Sequence, residues 1–464
     1  MVRKRAGQRS FSDAILFGAH IPDPKTLLDP VLRQLDDVLD SDDLVDEVLD
    51  ALRKRHPQSS RRGRPGTPAE VALRLLVLKH VRQWSFEELQ WEVTGNVAYR
   101  AFCRIDSGKV PDAKTMIRIN QAIDEATLRR VFERVVAEAK RRKVTRGRRM
   151  RVDTTVVETG VRYPLDSGLC EDVTRVACRE MERVRAAGLP VPDTFRNVRR
   201  SVARRLYEIE QIGRRPTSRE AKLEALKKPY KRLLRVAARV VRQAHAVVEA
   251  SKRLRRTIPG EIARSLRVLE GIVTTGKQVV KQTRARILRG ETQSEGKLVS
   301  IFEPHTQIIR KGKKHKPTEF GRTVKVQEAE GGVVTDIAVV DVSDSALIES
   351  SIEAHKKHFG RAPTVLSADR GFYSTANIAR ASEMGVLHVV IPKPGRRSDA
   401  VREEERARSF RRARAWRAGG EARISRLKRT FGMARSRYRG EPGLARCTYW
   451  AAIANNLVAI ARAP

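Results

Sequence analysis

The spacing of hydrophobic residues in the first third of the chain is typical of helices. The acidic segment 22–57 and the stretch VALRLLVLKHV, which begins at Val71, repeat apolar residues at three- and four-residue intervals. WSFEELQWEV and PDAKTMIRINQAI continue this pattern. We therefore predict an acidic helical arm and linker over residues 1–67 and an all-helical domain over residues 68–145. The second is either a helix–turn–helix domain or a plain helical bundle.

A strand pattern appears first at Val152–Val157, where β-branched residues cluster, and returns after residue 297. KLVSIFEP, GRTVKVQEAEGG and VVTDIAVVDV predict two or three strands, with Gly331-Gly332 as a hairpin turn. Helices and strands then alternate through SALIESSIEAHKKHF, TVLSA, TANIARASEMG and VLHVVIP. Helical segments on both sides of Gly419-Gly420 and the apolar helix YWAAIANNLVAIAR close the chain.

Between the first strand and the later strands lies a long helical stretch, residues 172–289. Without it, residues 146–171 and 290–464 form a mixed β/α core of about five strands in the element order of an RNase H-like fold. The predicted class is therefore α/β: an RNase H-like mixed sheet interrupted by a large helical insertion after its first strand, with an all-helical N-terminal domain.

The net charge of the chain indicates a polyanionic binding partner. The chain of 464 residues has a formal net charge of +40. Residues 196–289 hold 27 Lys and Arg against 7 Asp and Glu, a difference of +20. Pairs four residues apart cannot neutralise so one-sided a helix, so it needs an external polyanion. DNA is the leading candidate and an acidic membrane surface is the competitor.

Cysteine usage and hydropathy exclude other classes. None of the four cysteines forms a C-x-x-C pair, which favours buried thiols in a reducing cytosol over a disulfide scaffold or zinc ribbon. No apolar run reaches 18 residues, so we expect no membrane-spanning segment. The first residues do not have the pattern of a signal peptide.

Three acidic residues stand where the predicted elements of the sheet begin or end. Asp153 lies in the first strand, Asp369 ends the strand TVLSA, and Glu421 opens a later helix after a break at Gly419-Gly420, so only the fold can bring them together. A cluster of carboxylates is what two-metal cutting of a phosphodiester requires. Each residue also has a plainer interpretation, as a turn residue or a solvated charge. Their rivals are Asp336, Asp341 and the run Glu403–Glu405.

The motifs around these acids resemble those of the DDE transposases of bacterial insertion sequences, and are most similar to the ISNCY group. RVDTTVVETGVRYPLDSGL resembles the first-aspartate motif and SADRGFYS the second. FEPHTQIIRKGKKHKPTEFGRTVKV is similar to the stretch after the insertion, and RAGGEARISRLKRTFG to the glutamate motif. Of the spacing Tyr-x2-Arg-x3-Glu-x6-Lys, Arg417, Glu421 and Lys428 match, while Arg414 takes the tyrosine position.

The resemblance implies a DNA transposase that cuts at the ends of its element and transfers the strands into target DNA. Asp153, Asp369 and Glu421 are then the catalytic residues and the ligands of two Mg²⁺ ions, with Mn²⁺ as a substitute. Phosphate contacts are expected from the basic residues near them, Lys311, Lys313, Lys314, Arg417 and Lys428.

The same resemblance implies the partners. They are double-stranded DNA, as terminal inverted repeats and target, and further copies of the chain in a homodimer or higher assembly. We expect the protein in the cytoplasm with the nucleoid. The alternatives are an RNase H-like nuclease that only hydrolyses DNA and a non-catalytic DNA-binding protein derived from a transposase.

Overall fold

The computed structural model of the protein describes residue 4 and residues 24–55, 66–105, 108–254, 258–292, 296–310, 317–395 and 398–463. The chain divides into two compact units, Met1–Glu158 with Arg322–Pro464, and Thr159–Gly321. No helix in the described ranges is long and apolar enough to cross a membrane. All four cysteines are buried with free thiols, as the sequence predicts.

Seven helices form the N-terminal part of the first unit. Side chains cap several of them, because Asp29, Asn96, Asp112 and Asp124 accept hydrogen bonds from the first-turn amides of the helices that follow. The helices are α1 (Pro30–Leu39), α2 (Asp42–Arg55), α3 (Ala69–Arg82), α4 (Phe86–Gly95), α5 (Val97–Phe102), α6 (Ala113–Ala122) and α7 (Glu125–Arg141). The predicted helix pair in the acidic segment is confirmed as α1 and α2.

The acidic residues of α1 neutralise basic residues inside the same unit. Asp36 and Arg74 are both fully buried and 2.6 Å apart. Arg74 also binds Asp40 at 2.6 Å, and Arg104 binds Asp36 at 2.9 Å. The acidic arm is therefore more than a solvated helix pair, since its carboxylates hold cations from the neighbouring helices.

The second unit follows the first strand, β1 (Arg149–Glu158), and is mainly helical. Its helices are α8 (Asp166–Ala186), α9 (Arg199–Arg214), α10 (Arg219–Lys252) and α11 (Gly260–Arg289). They bury a hydrophobic cluster of their own, centred on residues such as Val173, Leu233 and Leu269. A short strand, β2 (Gln307–Arg310), also belongs to this unit.

The predicted strand KLVSIFEP is wrong. The Ser300 hydroxyl accepts hydrogen bonds from the amides of Phe302 and Glu303, which bends this segment into a turn. The strand starts at Gln307 instead and pairs antiparallel with β3 (Thr318–Ala329). Gly331 and Gly332 have positive φ and lead into β4 (Val334–Val340), so the predicted hairpin is confirmed.

The remaining strands are β5 (Val365–Ala368) and β6 (His388–Val390), which makes a mixed sheet of six strands. The order is β2-β3-β1-β5-β6, with β4 also paired to β3. β1, β5 and β6 are parallel. Helices α12 (Ile348–Phe359) and α13 (Thr375–Glu383) lead into β5 and β6, as helices usually do in parallel sheets.

Three helices end the chain: α14 (Asp399–Arg406), α15 (Arg408–Thr430) and α16 (Glu441–Ala461). α16 is apolar on all sides and almost fully buried, as such helices must be. Its residues join one hydrophobic cluster with α1, α3 and α7 and with β3 and β4. The N-terminal helices and the sheet of this unit thus share a core. The predicted domain boundaries at residues 67 and 145 stay predictions.

Candidate active site

Asp153 and Asp369 lie side by side at neighbouring strands of the sheet. In the parallel register of β1 and β5, Val152 is opposite Ala368. Asp153 is the next residue of β1, and Asp369 directly follows the last residue of β5. Neighbouring strands are about 4.8 Å apart. Asp153 is half-buried and Asp369 is exposed. The sheet therefore presents two carboxylates together at the end of β5, across 216 residues of sequence.

The turn after Asp369 explains the Arg-Gly-aromatic sequence that follows it. The Asp369 carboxylate accepts a 2.7 Å hydrogen bond from the Arg370 amide and caps a short 3-10 turn. Phe372 is buried in the core beneath. A Cβ at Gly371 would lie 3.1 Å from a carboxylate oxygen of Asp344, so this position favours glycine. The motif holds the aspartate at the strand end.

Helix α15 crosses the sheet on the same side of β1 as Arg151. Arg151 donates to the buried carboxylate of Glu328 at 2.8 Å and to the carbonyl of Trp416, and its guanidinium lies 4.6 Å from the Trp416 ring. A Cβ at Gly419 would approach Arg151 to 2.6 Å. Gly419 and Gly420 therefore allow a close crossing. The expected interruption of the helix at these glycines is wrong, since α15 runs through both.

The crossing brings Arg417, but not Glu421, into the lining of a cavity that Asp153 also lines. Arg417, Gly420 and Ile424 line a small cavity together with Asp153. The Glu421 side chain is 74% exposed and lies 3.9 Å from the Arg417 guanidinium. Arg417 and Glu421 thus form the loose ion pair expected one turn apart on a helix.

The donor set fits a divalent cation in part. Two carboxylates on adjacent strands are hard oxygen ligands, and Mg²⁺ is commonly held by one or two carboxylates plus waters and substrate phosphates. In the described residues, however, no three His, Cys, Asp or Glu side chains are grouped closely enough to hold one ion. Asp153 and Asp369 therefore lie on adjacent strand positions and Arg417 lines a cavity with Asp153, but Glu421 does not complete a group of three acids with the two aspartates.

The rival acids have other partners. Asp336 is 2.6 Å from Lys325, and Asp341 is 2.6 Å from Arg322, so both belong to ion pairs of the β3–β4 hairpin. Glu405 accepts a hydrogen bond from the Lys393 amide. None of these contacts involves the two site aspartates.

The predicted phosphate contacts fall in three places. Arg417 lies beside Asp153, as described. Lys428 lies on the same side of α15 three turns further on, where it lines a separate cavity with Lys79 of α3. Lys311, Lys313 and Lys314 lie outside the described residues.

Sequence reasoning missed two acids that organise the site. Glu328 binds Arg151 and also Arg423 of α15 at 3.0 Å, and so ties the helix to the sheet. Asp344 accepts a 2.9 Å hydrogen bond from the Thr154 hydroxyl and packs against Gly371. Glu328 lies in a strand where polar and apolar residues alternate, so its charge predicts that its side chain is exposed. Its role becomes visible from its two arginine partners, Arg151 and Arg423.

A basic groove lies on the helices of the second unit. Lys277, Lys281 and Arg284 follow one face of α11, and Arg242 of α10 faces them across a cavity of about 380 Å³. These four side chains are exposed. In the described part of the chain, no acidic residue lines the groove. Such a stripe of like charge matches the spacing needed to follow a phosphate backbone.

Two family descriptions match the chain. One is "Transposase domain (DUF772)", over residues 17–122, and the other is "Transposase DDE domain", over residues 296–457. The DDE match includes Asp369, Glu421 and Lys428, whereas Asp153 and the helices of the second unit precede it. No curated protein and no solved structure matches the chain.

Proposed function

We infer from the two domain matches that the protein is a DDE-family transposase of the insertion-sequence type. We propose that it cuts DNA at the ends of an element of the ISNCY group. It then joins the freed 3′-hydroxyls to target DNA. The observation that carries the proposal is the register of β1 and β5, because Asp153 and Asp369 directly follow the opposed residues Val152 and Ala368. The DDE domain implies an RNase H-like fold, in which acids at strand ends do this chemistry.

Asp153, Asp369 and Glu421 are proposed to hold two Mg²⁺ ions, with Mn²⁺ as a substitute. When bound, the ions activate the attacking oxygen and stabilise the leaving oxygen of the phosphodiester. The two aspartates would supply ligands from the sheet, and Glu421 would supply the third from α15 once it joins them. Arg151 and Arg423, both bound to buried Glu328, hold α15 against the sheet and so limit how far Glu421 can move.

Arg417 is proposed to bind the phosphate whose bond is cut. Its guanidinium lines the same cavity as Asp153 and is only 20% exposed, which strengthens its interaction with an anion. A planar guanidinium can donate two parallel hydrogen bonds to a phosphate. Lys428, Lys311, Lys313 and Lys314 are proposed to bind phosphates further along the strand.

Other parts of the chain are proposed to hold the DNA. The basic groove of α10 and α11 clamps the duplex from the insertion, residues 172–289. The helical domain over 68–145 reads the terminal inverted repeats. Two ends must meet in one reaction, so the active form is a homodimer or a higher assembly, and it works in the cytoplasm on the nucleoid.

The experiment is a cleavage and joining assay on labelled DNA that carries the element's own ends. Wild type is compared with Asp369→Asn and with Glu403→Gln, an exposed acid of α14 outside the site. Joined products from wild type and Glu403→Gln, lost in Asp369→Asn and in EDTA, support the transposase.

The same assay separates the alternatives. Nicked DNA without joined products identifies a nuclease that only hydrolyses. DNA binding without any chemistry in all three proteins identifies a non-catalytic DNA-binding protein and overturns the site assignment.

A further inference from the structure

A cationic cavity of about 540 Å³ lies between the last turn of α3 and the segment that joins α15 to α16. Lys79, Lys428, Arg435 and Arg437 line it, and in the described part of the chain no carboxylate does. The cavity concentrates positive charge in a concave, partly apolar site of the size that small ligands occupy.

Lys79 lies among aromatic rings in this cavity. Its ammonium is 4.8 Å from the centre of the Phe86 ring and 5.6 Å from that of Tyr438. The pKa of Lys79 is lowered to about 8, mainly by burial, with a smaller contribution from the nearby Arg437. A desolvated ammonium between rings is costly to keep charged unless an anion joins it.

The wall behind Lys79 is rigid. The His80 ring stacks on Trp450 at 4.8 Å and 8°. One ring nitrogen lies 2.7 Å from the Leu76 carbonyl and the other 2.9 Å from the Tyr438 hydroxyl. Burial holds the pKa of His80 well below its usual range, so the ring stays neutral. The cavity is therefore formed before any ligand enters, which reduces the entropy lost on binding.

The cavity continues the line of β1 beyond Asp153. Glu158, the last residue of β1, forms a parallel bridge with Arg435. The Glu158 carbonyl accepts a 2.7 Å hydrogen bond from the Ser436 amide. Five residues of strand separate Asp153 from Glu158, which is about 17 Å. A nucleic acid strand with one phosphate at Asp153 can reach this cavity with a later phosphate.

We propose that this cavity is a second phosphate site, which binds the backbone of the DNA strand beyond the reacting phosphodiester through Lys79, Arg435 and Arg437. The proposal rests on the proposed function for its ligand, since that function supplies DNA. Segment 434–436 carries Arg435 and is anchored to the end of β1 by backbone hydrogen bonds at Glu158. The site therefore moves with the strand that bears Asp153.

The first test uses the reactivity of the Lys79 amine. A short pulse of acetic anhydride at pH 8 acylates deprotonated lysines, and mass spectrometry of peptides measures each position. A short DNA duplex of arbitrary sequence is expected to slow acylation of Lys79 about fivefold, because a bound phosphate that raises its pKa from about 8 by about one unit lowers the deprotonated fraction at pH 8 from about one half to about one tenth. Lys54, exposed in the last turn of α2, is the control and keeps its rate.

The second test asks whether Lys79 serves the ligand or the fold. In Lys79→Met, DNA binding is expected to weaken, with the slope of log affinity against log salt falling by about 1. The thermal midpoint is expected to stay equal or rise, because a poorly compensated buried charge is removed. A lower midpoint with unchanged DNA affinity would show a structural lysine and overturn the proposal.

These measurements distinguish failure of the catalytic proposal from failure of the phosphate-site proposal. Asp369→Asn is expected to lose joining and to keep the protection of Lys79 by DNA. If DNA protects Lys79 but wild type forms no joined products, the phosphate site is supported and the transposase proposal is contradicted. If wild type forms joined products but DNA does not protect Lys79, the phosphate-site proposal alone is contradicted.

Discussion

The Thr154 hydroxyl donates a 2.9 Å hydrogen bond to the Asp344 carboxylate, and this bond ties β1 to the turn that carries Asp369. Thr154 follows Asp153 directly, and Asp344 packs against Gly371. We expect Thr154→Val and Asp344→Ala each to lower the joining rate by about tenfold, since small displacements of reacting groups are costly. The double variant is expected to lose no more than either single one, because both remove the same bond. Ser343→Ala, an exposed neighbour, is the control, and additive losses would contradict a shared role.

The basic groove of the insertion predicts a salt dependence. Lys281→Gln and Arg284→Gln are each expected to lower the slope of log DNA affinity against log salt by about 1. Lys252→Gln is the matched control, because Lys252 on α10 is already paired with Glu249 and Glu270. Fluorescence anisotropy with a labelled duplex at several salt concentrations measures the slopes. Equal slopes in all three variants would place the DNA elsewhere.

The close crossing of α15 predicts that Gly419→Ala destabilises the protein. The added Cβ would lie 2.6 Å from an Arg151 nitrogen that Glu328 and Trp416 hold in place. We expect a loss of about 1–2 kcal/mol in the free energy of unfolding. Gly271→Ala, in α11, meets nothing within 4 Å and is expected to gain up to about 1 kcal/mol. Denaturant titration of both variants checks the opposite signs.

Two adjacent acids of α1 are expected to differ in their effect on stability. Asp36→Asn removes the buried negative charge that pairs with both Arg74 and Arg104, and is expected to cost about 3–5 kcal/mol. Asp37→Asn removes an exposed pair with Lys25 and is expected to cost under about 1 kcal/mol. Similar denaturation midpoints for the two variants would contradict the buried network.

Acid is expected to destabilise the fold through His355. Burial lowers the pKa of His355 to about 4, and its ring lies 3.0 Å from the Gly147 carbonyl. The unfolded chain takes up the proton first as the pH falls, so the stability from neutral His355 is full above about pH 6.5 and is lost towards pH 4. The loss is about 3 kcal/mol. His355→Gln is expected to flatten the pH dependence of unfolding over this window, whereas an unchanged slope would contradict it.

Local pattern was enough to predict most of the elements. Periodicity identified α1, α2, α6, α12, α13 and α16, and the β-branched run identified β1, because these preferences depend on neighbours along the chain. The aspartates were found the same way, from strand ends and the residues that follow them. The strand prediction for KLVSIFEP was wrong because an apolar run is compatible with a strand, whereas here the Ser300 side chain accepts hydrogen bonds that bend the backbone into a turn.

Tertiary structure decided which distant residues meet. The register that sets Val152 opposite Ala368, and so brings Asp153 and Asp369 to neighbouring strand positions, depends on pairing across 216 residues, and no local preference encodes it. In the sequence, Gly419-Gly420 is typical of a helix break. In the structure the helix continues, and the absence of side chains at these glycines lets Arg151 pack closely against it. Burial of charged groups, as in Asp36 with Arg74 or Glu328 with Arg151, likewise depends on partners that the fold supplies. Sequence therefore determined the elements and the candidate chemistry, and the burial of shared surfaces determined the geometry of the site.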